Sequence, residues 1–233
     1  MRQAKSGASE GLCIVAREQT HGRGRHERVW NSPRDAGLYL SVLLRPQFDI
    51  SIWPLITLMA ALAVADALRE AGELQTDIKW PNDIVVHDQK LSGILAETVE
   101  TERGLACVLG IGINLLNDAI PTELQGRATS ITALTGKDAN AEQLLTALLE
   151  HLARHYAQLA EAEGPAAVIR DWTASSSFAI GKLVRVDTGA EVFEGQTRGL
   201  ESDGALRVQI AGGETRIVRS GDVQSLRPAG QSH

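Results

Sequence analysis

The chain has 233 residues, 43% of them hydrophobic and 22% charged, which is the balance of an ordinary soluble protein able to build a core. Its net charge of −6 argues against general nucleic-acid binding, which draws on a surplus of basic charge. The length allows one large domain, or one medium domain with a small appendage. Neither a 20-residue apolar span nor a signal peptide is visible, so the expected compartment is the cytoplasm. Cys13 and Cys107 lie in apolar runs and are expected as buried free thiols in a reducing compartment.

After a short polar start, LCIVARE (12–18) reads as a buried strand running into REQTHGRGRHERVWNS (17–32). In that stretch Arg23, Arg25, Arg28 and His26 interleave with Gly22 and Gly24, and Trp30 closes the run. Glycines let backbone N–H groups approach a ligand, and arginines add planar charged forks for carboxylate or phosphate. A tryptophan offers a flat face for a base. The stretch suits an anion with an aromatic part, such as a nucleotide; the plain alternative is a solvated basic loop.

GLYLSVLLR (37–45) reads as a second strand, ended by Pro46. Residues 51–71 carry Leu55, Leu58, Leu62, Ala65 and Leu68 at helical spacing, with Gly72 suited to the C-terminus. In DIKWPNDIVVHDQKLSGILAETVE (77–100), Pro81-Asn82-Asp83 and Asp88-Gln89 mark turns between strand-like runs, and LACVLGIGINL (105–115) is a further strand. Strands in succession joined by tight turns predict an α+β fold with a mixed, largely antiparallel sheet. Two helices are expected to cover it. One runs from about Ala141 to Ala160, with Leu145, Leu149, Leu152, Tyr156 and Leu159 on its inner face; the other runs from Pro165 to about Thr173. After SSS (175–177) come short β runs divided by glycine turns, the pattern of a small β-barrel. The expected division is therefore 1–177 and 178–233, with the tail RPAGQSH (227–233) loose.

Lys79, Asn82, Asp83 and Lys90 fall on one strand–turn–strand unit. An ATP site needs cations for phosphates and oxygen ligands for Mg²⁺; Lys79 and Lys90 suit the first task, and Asp83, Asn82 and Asn114 the second. The alternative for each residue alone is a good turn with exposed lysine ends. Other templates fail: there is no GxxxxGK(S/T), no GxSxG and no HExxH, and GIGIN lacks the later glycine of a dinucleotide fingerprint. His21 and His26 lie too near arginines for a metal site, and His151 and His155 are expected on a solvated helix face.

The Arg-Gly stretch resembles the signature loop of biotin protein ligases, GRGRRGR-x-W. Gln19, Gly22, Arg23, Gly24, Arg25, Arg28 and Trp30 match, whereas His26 stands for an arginine and Glu27 for a glycine. KWPND, KLSGILAE and GIGIN follow in that family's order, and the segment ending GDVQSLRP resembles its SH3-like domain. The resemblance implies a class II synthetase-like catalytic domain that joins biotin to ATP and passes the biotinyl group to a lysine of a biotin carboxyl carrier protein. It implies that Gln19, Gly22, Arg23 and Gly93 meet biotin, with Lys90 at its reacting carboxylate. Arg25, Arg28, Trp30, Lys79, Asn82, Asp83 and Asn114 would serve the nucleotide, and Asp83 and Asn114 the Mg²⁺. Arg25 and Lys90 would be the catalytic pair. The family also carries a Ser/Thr-Thr-Asn segment for the ureido ring of biotin, and nothing in residues 1–16 matches it. The expectation is that the chain starts inside the helix that follows that segment and binds biotin weakly. No DNA binding is expected, nor membrane contact, and the oligomeric state is expected to be monomer or weak homodimer. Alternatives are a lipoate- or octanoate-type ligase of the same superfamily, or a non-catalytic protein that binds an acyl-adenylate or a carrier.

Overall fold

A computed structural model describes residues 1–226; the tail 227–233, expected to be loose, lies outside the described residues. The longest ladder joins β5 (Gln89–Thr101) to β6 (Gly104–Asn114) across a tight turn in which Gly104 takes a left-handed φ of 90°. β2 (Gly37–Leu44) pairs with the other edge of β6 along its whole length. β1 (Cys13–Ala16), β3 (Asp77–Lys79) and β4 (Asp83–Val86) complete a six-stranded sheet in the order β1-β2-β6-β5-β4-β3. All of its pairings are antiparallel, and the short connections β3–β4, β4–β5 and β5–β6 demand it for those three. The turn between β4 and β5 centres on His87 and Asp88, one residue earlier than expected, and both adopt the left-handed φ of a two-residue hairpin.

α1 (Arg2–Lys5) is a single turn whose Ala4 is buried. α2 (Leu55–Gly72) starts after a 3-10 turn at Ile50–Ile52 and is buried almost all round. One side meets the sheet and the other meets α4 (Ala141–Leu159) and α5 (Gly164–Ala174). Its C-terminus is closed by Glu73 in the left-handed region, while Gly72 is the last helical residue. α3 (Ile131–Thr135) is one short turn, capped by Ser130 Oγ, which accepts from Ala133 N–H. Trp172 and Phe178 are fully buried, each removal from water stabilising the fold by roughly 1.5–3 kcal/mol.

The remaining strands are β7 (Ile180–Asp187), β8 (Val192–Leu200), β9 (Leu206–Gln209), β10 (Thr215–Val218) and β11 (Asp222–Ser225). They form a second antiparallel sheet in the order β10-β9-β8-β7-β11. The two sheets are joined firmly. Trp80 Nε1 donates to Gly204 O at 3.0 Å, and a Cβ on Gly204 would lie 2.9 Å from Leu58 Cδ1 of α2.

Three expectations need correction. The run 12–18 forms a strand, but β1 is an edge strand with Ile14 and Val15 about half exposed, and Cys13 is exposed as well. An apolar run shows strand propensity; whether anything covers it depends on neighbours the run does not name. Cys107, on central β6, is buried as expected, and burial pushes its thiol up to about 12. The face of α4 is also displaced. Leu144, Leu148, Leu152, His155 and Leu159 are buried, because α4 packs on α2 rather than flat on the sheet. His151 and His155 therefore lie in a seam, each 8% exposed, where their Nε2 atoms meet Glu70 and Asp66 at 2.8 Å. Arg154 donates to His151 Nδ1 at 2.7 Å, which leaves Nε2 as the nitrogen that donates to Glu70. Among the described residues no helix is long and apolar enough to cross a membrane.

Candidate active site

Lys79 ends β3, Asp83 opens β4 and Lys90 lies at the start of β5. In a regular strand Lys90 and Gly93 would face opposite sides of the sheet. The β4–β5 ladder pairs Ile84 with Ser92 and Val85 with Lys90, so Leu91 is an extra residue. Such a bulge reverses the facing of what lies beyond it. Lys90 thereby shares a cavity with Gly93, Leu95 and Glu97, while Leu91 is wholly buried in the core.

The floor of this cavity, about 220 Å³ in volume, is bare backbone where Gly93 pairs with Gly112 and Leu95 with Gly110. A Cβ on Gly112 would lie 2.4 Å from Trp30 Nε1, and one on Gly93 would lie 3.0 Å from Trp30 Cζ3. Only glycine lets the indole rest on the ladder. Lys90 Nζ stands 5.3 Å from the indole centroid, a cation–π distance, and 2.6 Å from Asp83 Oδ1.

The Arg-Gly stretch is a hairpin over this floor. Arg23 bridges Val29, Trp30 N–H donates to Gly22 O at 2.9 Å, and Arg28 N–H donates to Arg25 O at 3.1 Å. His26 and Glu27 occupy the turn with φ of 52° and 58°. Glu27 thus takes up a left-handed conformation that a glycine would adopt without steric cost. At the base, a Cβ on Gly22 would come 2.2 Å from Trp30 O, so the two arms touch backbone to backbone. Gln19 Oε1 accepts from Ser32 Oγ at 2.9 Å beside that base and lines the cavity.

Ion pairs hold the hairpin down. Arg23 donates through both terminal nitrogens to Glu97, at 2.8 and 2.7 Å. Arg28 pairs with Asp222 of β11, and Arg25 reaches Gly221 O and Ser220 Oγ at 3.2 Å each. Burial pushes the Arg25 guanidinium below its ordinary value, against the pull of Asp222 and Asp83. Burial likewise lowers the Lys79 ammonium, with Asp83 opposing and Lys90 adding to the effect. Both are cations short of solvation, and a bound anion would restore what burial removes.

Most of the expected residues thus converge. Gln19, Arg23, Trp30, Asn82, Lys90 and Gly93 line the first cavity, and Arg25 and Asn82 line a second one beside it. Asn82 Nδ2 is held by Ile94 O at 2.7 Å. Asn114 is not part of either wall: it is buried on β6, its Nδ2 donating to Thr129 O at 3.0 Å. It sits two strands from Asp83, roughly 10 Å by sheet spacing. Among the described residues no group of three or more His, Cys, Asp or Glu is placed to hold a metal. Sequence reading left Glu97 and Asp222 unassigned. Glu97 carried a signal, since it follows Gly93 and Leu95 at period two; Asp222 carried none, its partner being 194 residues away.

A family model described as the Biotin/lipoate A/B protein ligase family matches residues 3–114, and one described as the Biotin protein ligase C terminal domain matches residues 179–225. The bifunctional ligase/repressor BirA of Bacillus subtilis (strain 168) is 35% identical over 95% of this chain and 68% of its own length. The biotin–(acetyl-CoA-carboxylase) ligase of Mycobacterium tuberculosis is 34% identical over 97% of this chain and 84% of its own. The biotin protein ligase of Aquifex aeolicus, solved in complex with biotin and ATP, superposes with a TM-score of 0.83 at 30% identity, covering 97% and 94% of the two chains. An ATP-dependent ligase of the biotin and lipoate kind is the class these matches define. Within that class, the chain belongs to the biotin protein ligase family.

Proposed function

We propose that this chain activates biotin with ATP to biotinyl-5′-AMP and transfers the biotinyl group to a lysine of a biotin carboxyl carrier protein. The observation that carries the reading is the bulge-delivered Lys90 beside Asp83, on a glycine floor under the Arg-Gly hairpin. Residues 1–177 act as the biotin- and ATP-binding domain and 178–233 as the SH3-like domain. Biotin lies along the floor against Gln19, Gly22, Arg23 and Gly93, with its carboxylate at Lys90. Trp30 stacks on the adenine, while Arg25, Arg28, Lys79, Asn82, Asp83 and Asn114 serve the nucleotide.

In the first step a carboxylate oxygen attacks the α-phosphorus and the bond to pyrophosphate breaks. Two anions meet, so fixed cations on both sides lower the barrier. Mg²⁺, held mostly by phosphate oxygens, would offset further negative charge. The donor set fits an ion with one protein carboxylate, Asp83, whose side chain also engages Lys90. Asn114 can join only through the nucleotide or a water, given its distance. In the second step the carrier's lysine amine attacks the acyl carbon, AMP leaves and the amine loses a proton. The reading includes a cytoplasmic enzyme, monomeric or weakly dimeric, that needs no nucleic acid.

Biotin-dependent exchange between ATP and labelled pyrophosphate tests this directly. Exchange with biotin but not with lipoate or octanoate is the expected result. Exchange with lipoate alone, or none with any acid, would overturn it.

A further inference from the structure

Two cations line one cavity, Arg23 from the hairpin and Lys90 from β5, and a monocarboxylate can engage either. Arg23 is the better trap. Its planar fork makes two parallel hydrogen bonds to a carboxylate, whereas Lys90 offers a point charge. An acid that settled on Arg23 would hold its carboxylate away from the Lys90–Asp83 corner and could not react there.

The molecule supplies a carboxylate of its own against this. Glu97 lies farther along the β5 face that carries Gly93 and Leu95, and its Oε1 and Oε2 accept from Arg23 Nη1 and Nη2. The end of the fork, one N–H from each terminal nitrogen, is thereby occupied, and an incoming carboxylate could make the end-on pair only by displacing Glu97. Lys90 is held differently: its Nζ stands 2.6 Å from Asp83 Oδ1 as an ion pair in which that oxygen accepts no hydrogen bond, so its N–H groups can turn to another carboxylate. We infer that Glu97 is an internal carboxylate that occupies Arg23 and so directs the substrate's carboxylate to Lys90. It acts through Arg23, not on the reacting atoms, and is an orientation-determining residue. The inference rests on the ligase reading given above.

Glu97→Gln keeps the shape and removes the charge. In biotin-dependent pyrophosphate exchange by the full chain, kcat and KM for biotin should fall together by about tenfold, the worth of one charge-assisted hydrogen bond in the wrong place. Unproductive binding sequesters enzyme without altering kcat/KM. Glu97→Gln combined with Arg23→Gln removes the decoy, so kcat should recover while KM rises. Glu97→Asp keeps the charge and should stay within about threefold of wild type. Biotin methyl ester, which has no carboxylate, should bind wild type and Glu97→Gln equally in calorimetry. Wild-type constants for Glu97→Gln would overturn the inference, as would a rise in KM alone or a double variant without recovery. Absence of biotin-dependent exchange in the wild type would instead overturn the ligase reading, and the inference with it.

Discussion

The floor of the cavity and the hairpin above it are held by different physics. The floor is a β5–β6 ladder that runs unbroken from Ser92–Ile113 to Thr101–Gly104, backed by α2. Its shape comes from backbone hydrogen bonds and from the side chains that glycine omits. The hairpin has two bridged residues and three arginines in contact with the rest of the fold, Arg23 with β5, Arg28 with β11 and Arg25 with the turn before β11. Ladders of this length open only with the domain, whereas part-exposed ion pairs are screened by salt and contribute little apiece. The difference teaches how the proposed function would be divided: the rigid half would carry the chemistry, and the releasable half would control access and escape.

The largest effect should come from the rigid half. Lys90→Ala removes the cation proposed to meet the reacting carboxylate, and exchange should drop by about 10³-fold or more, with an unchanged melting temperature. A loss below about tenfold would move the chemistry off the floor. Next, Gly112→Ala places a methyl within 2.4 Å of the Trp30 nitrogen and must displace the indole. KM for ATP should rise by about tenfold or more, since the stacking face is lost while the ladder stays intact. Unaltered ATP binding would mean that Trp30 does not serve the adenine.

The releasable half should answer to weaker perturbations. Asp222→Asn frees Arg28, and ligand-free cleavage by trypsin within residues 23–28 should quicken by about fivefold, as should cleavage of wild type in high salt. Biotin and ATP together should suppress it in both proteins. Equal cleavage with and without ligands would show that the hairpin does not act as a lid. Smallest of all, Glu27→Gly relieves a left-handed turn residue and should stabilise the fold by about 0.5–1 kcal/mol in urea denaturation. It should also slow escape of the adenylate. Destabilisation would place the strain outside the turn.

Much of this protein could be read locally. The helical period of α2, the turn at Pro81–Asp83, the turn at Asp88 to within one residue, and the strand through GIGIN follow from side-chain spacing and backbone preference within a few residues. The motifs KWPND, KLSGILAE and GRGRHER meet at one cavity, and each was legible because its residues must be close in sequence to share a turn. What no local pattern encodes is the identity of a partner. β1 is exposed because it falls at the sheet edge, and His151 and His155 are buried because α2 presents Asp66 and Glu70 to them. The facing of Lys90 was decided by a single extra residue, Leu91, which strand periodicity misassigns unless the pairing with β4 is known. Arg23 met Glu97 across 74 residues and Arg28 met Asp222 across 194, separations at which only the folded sheets bring opposite charges together.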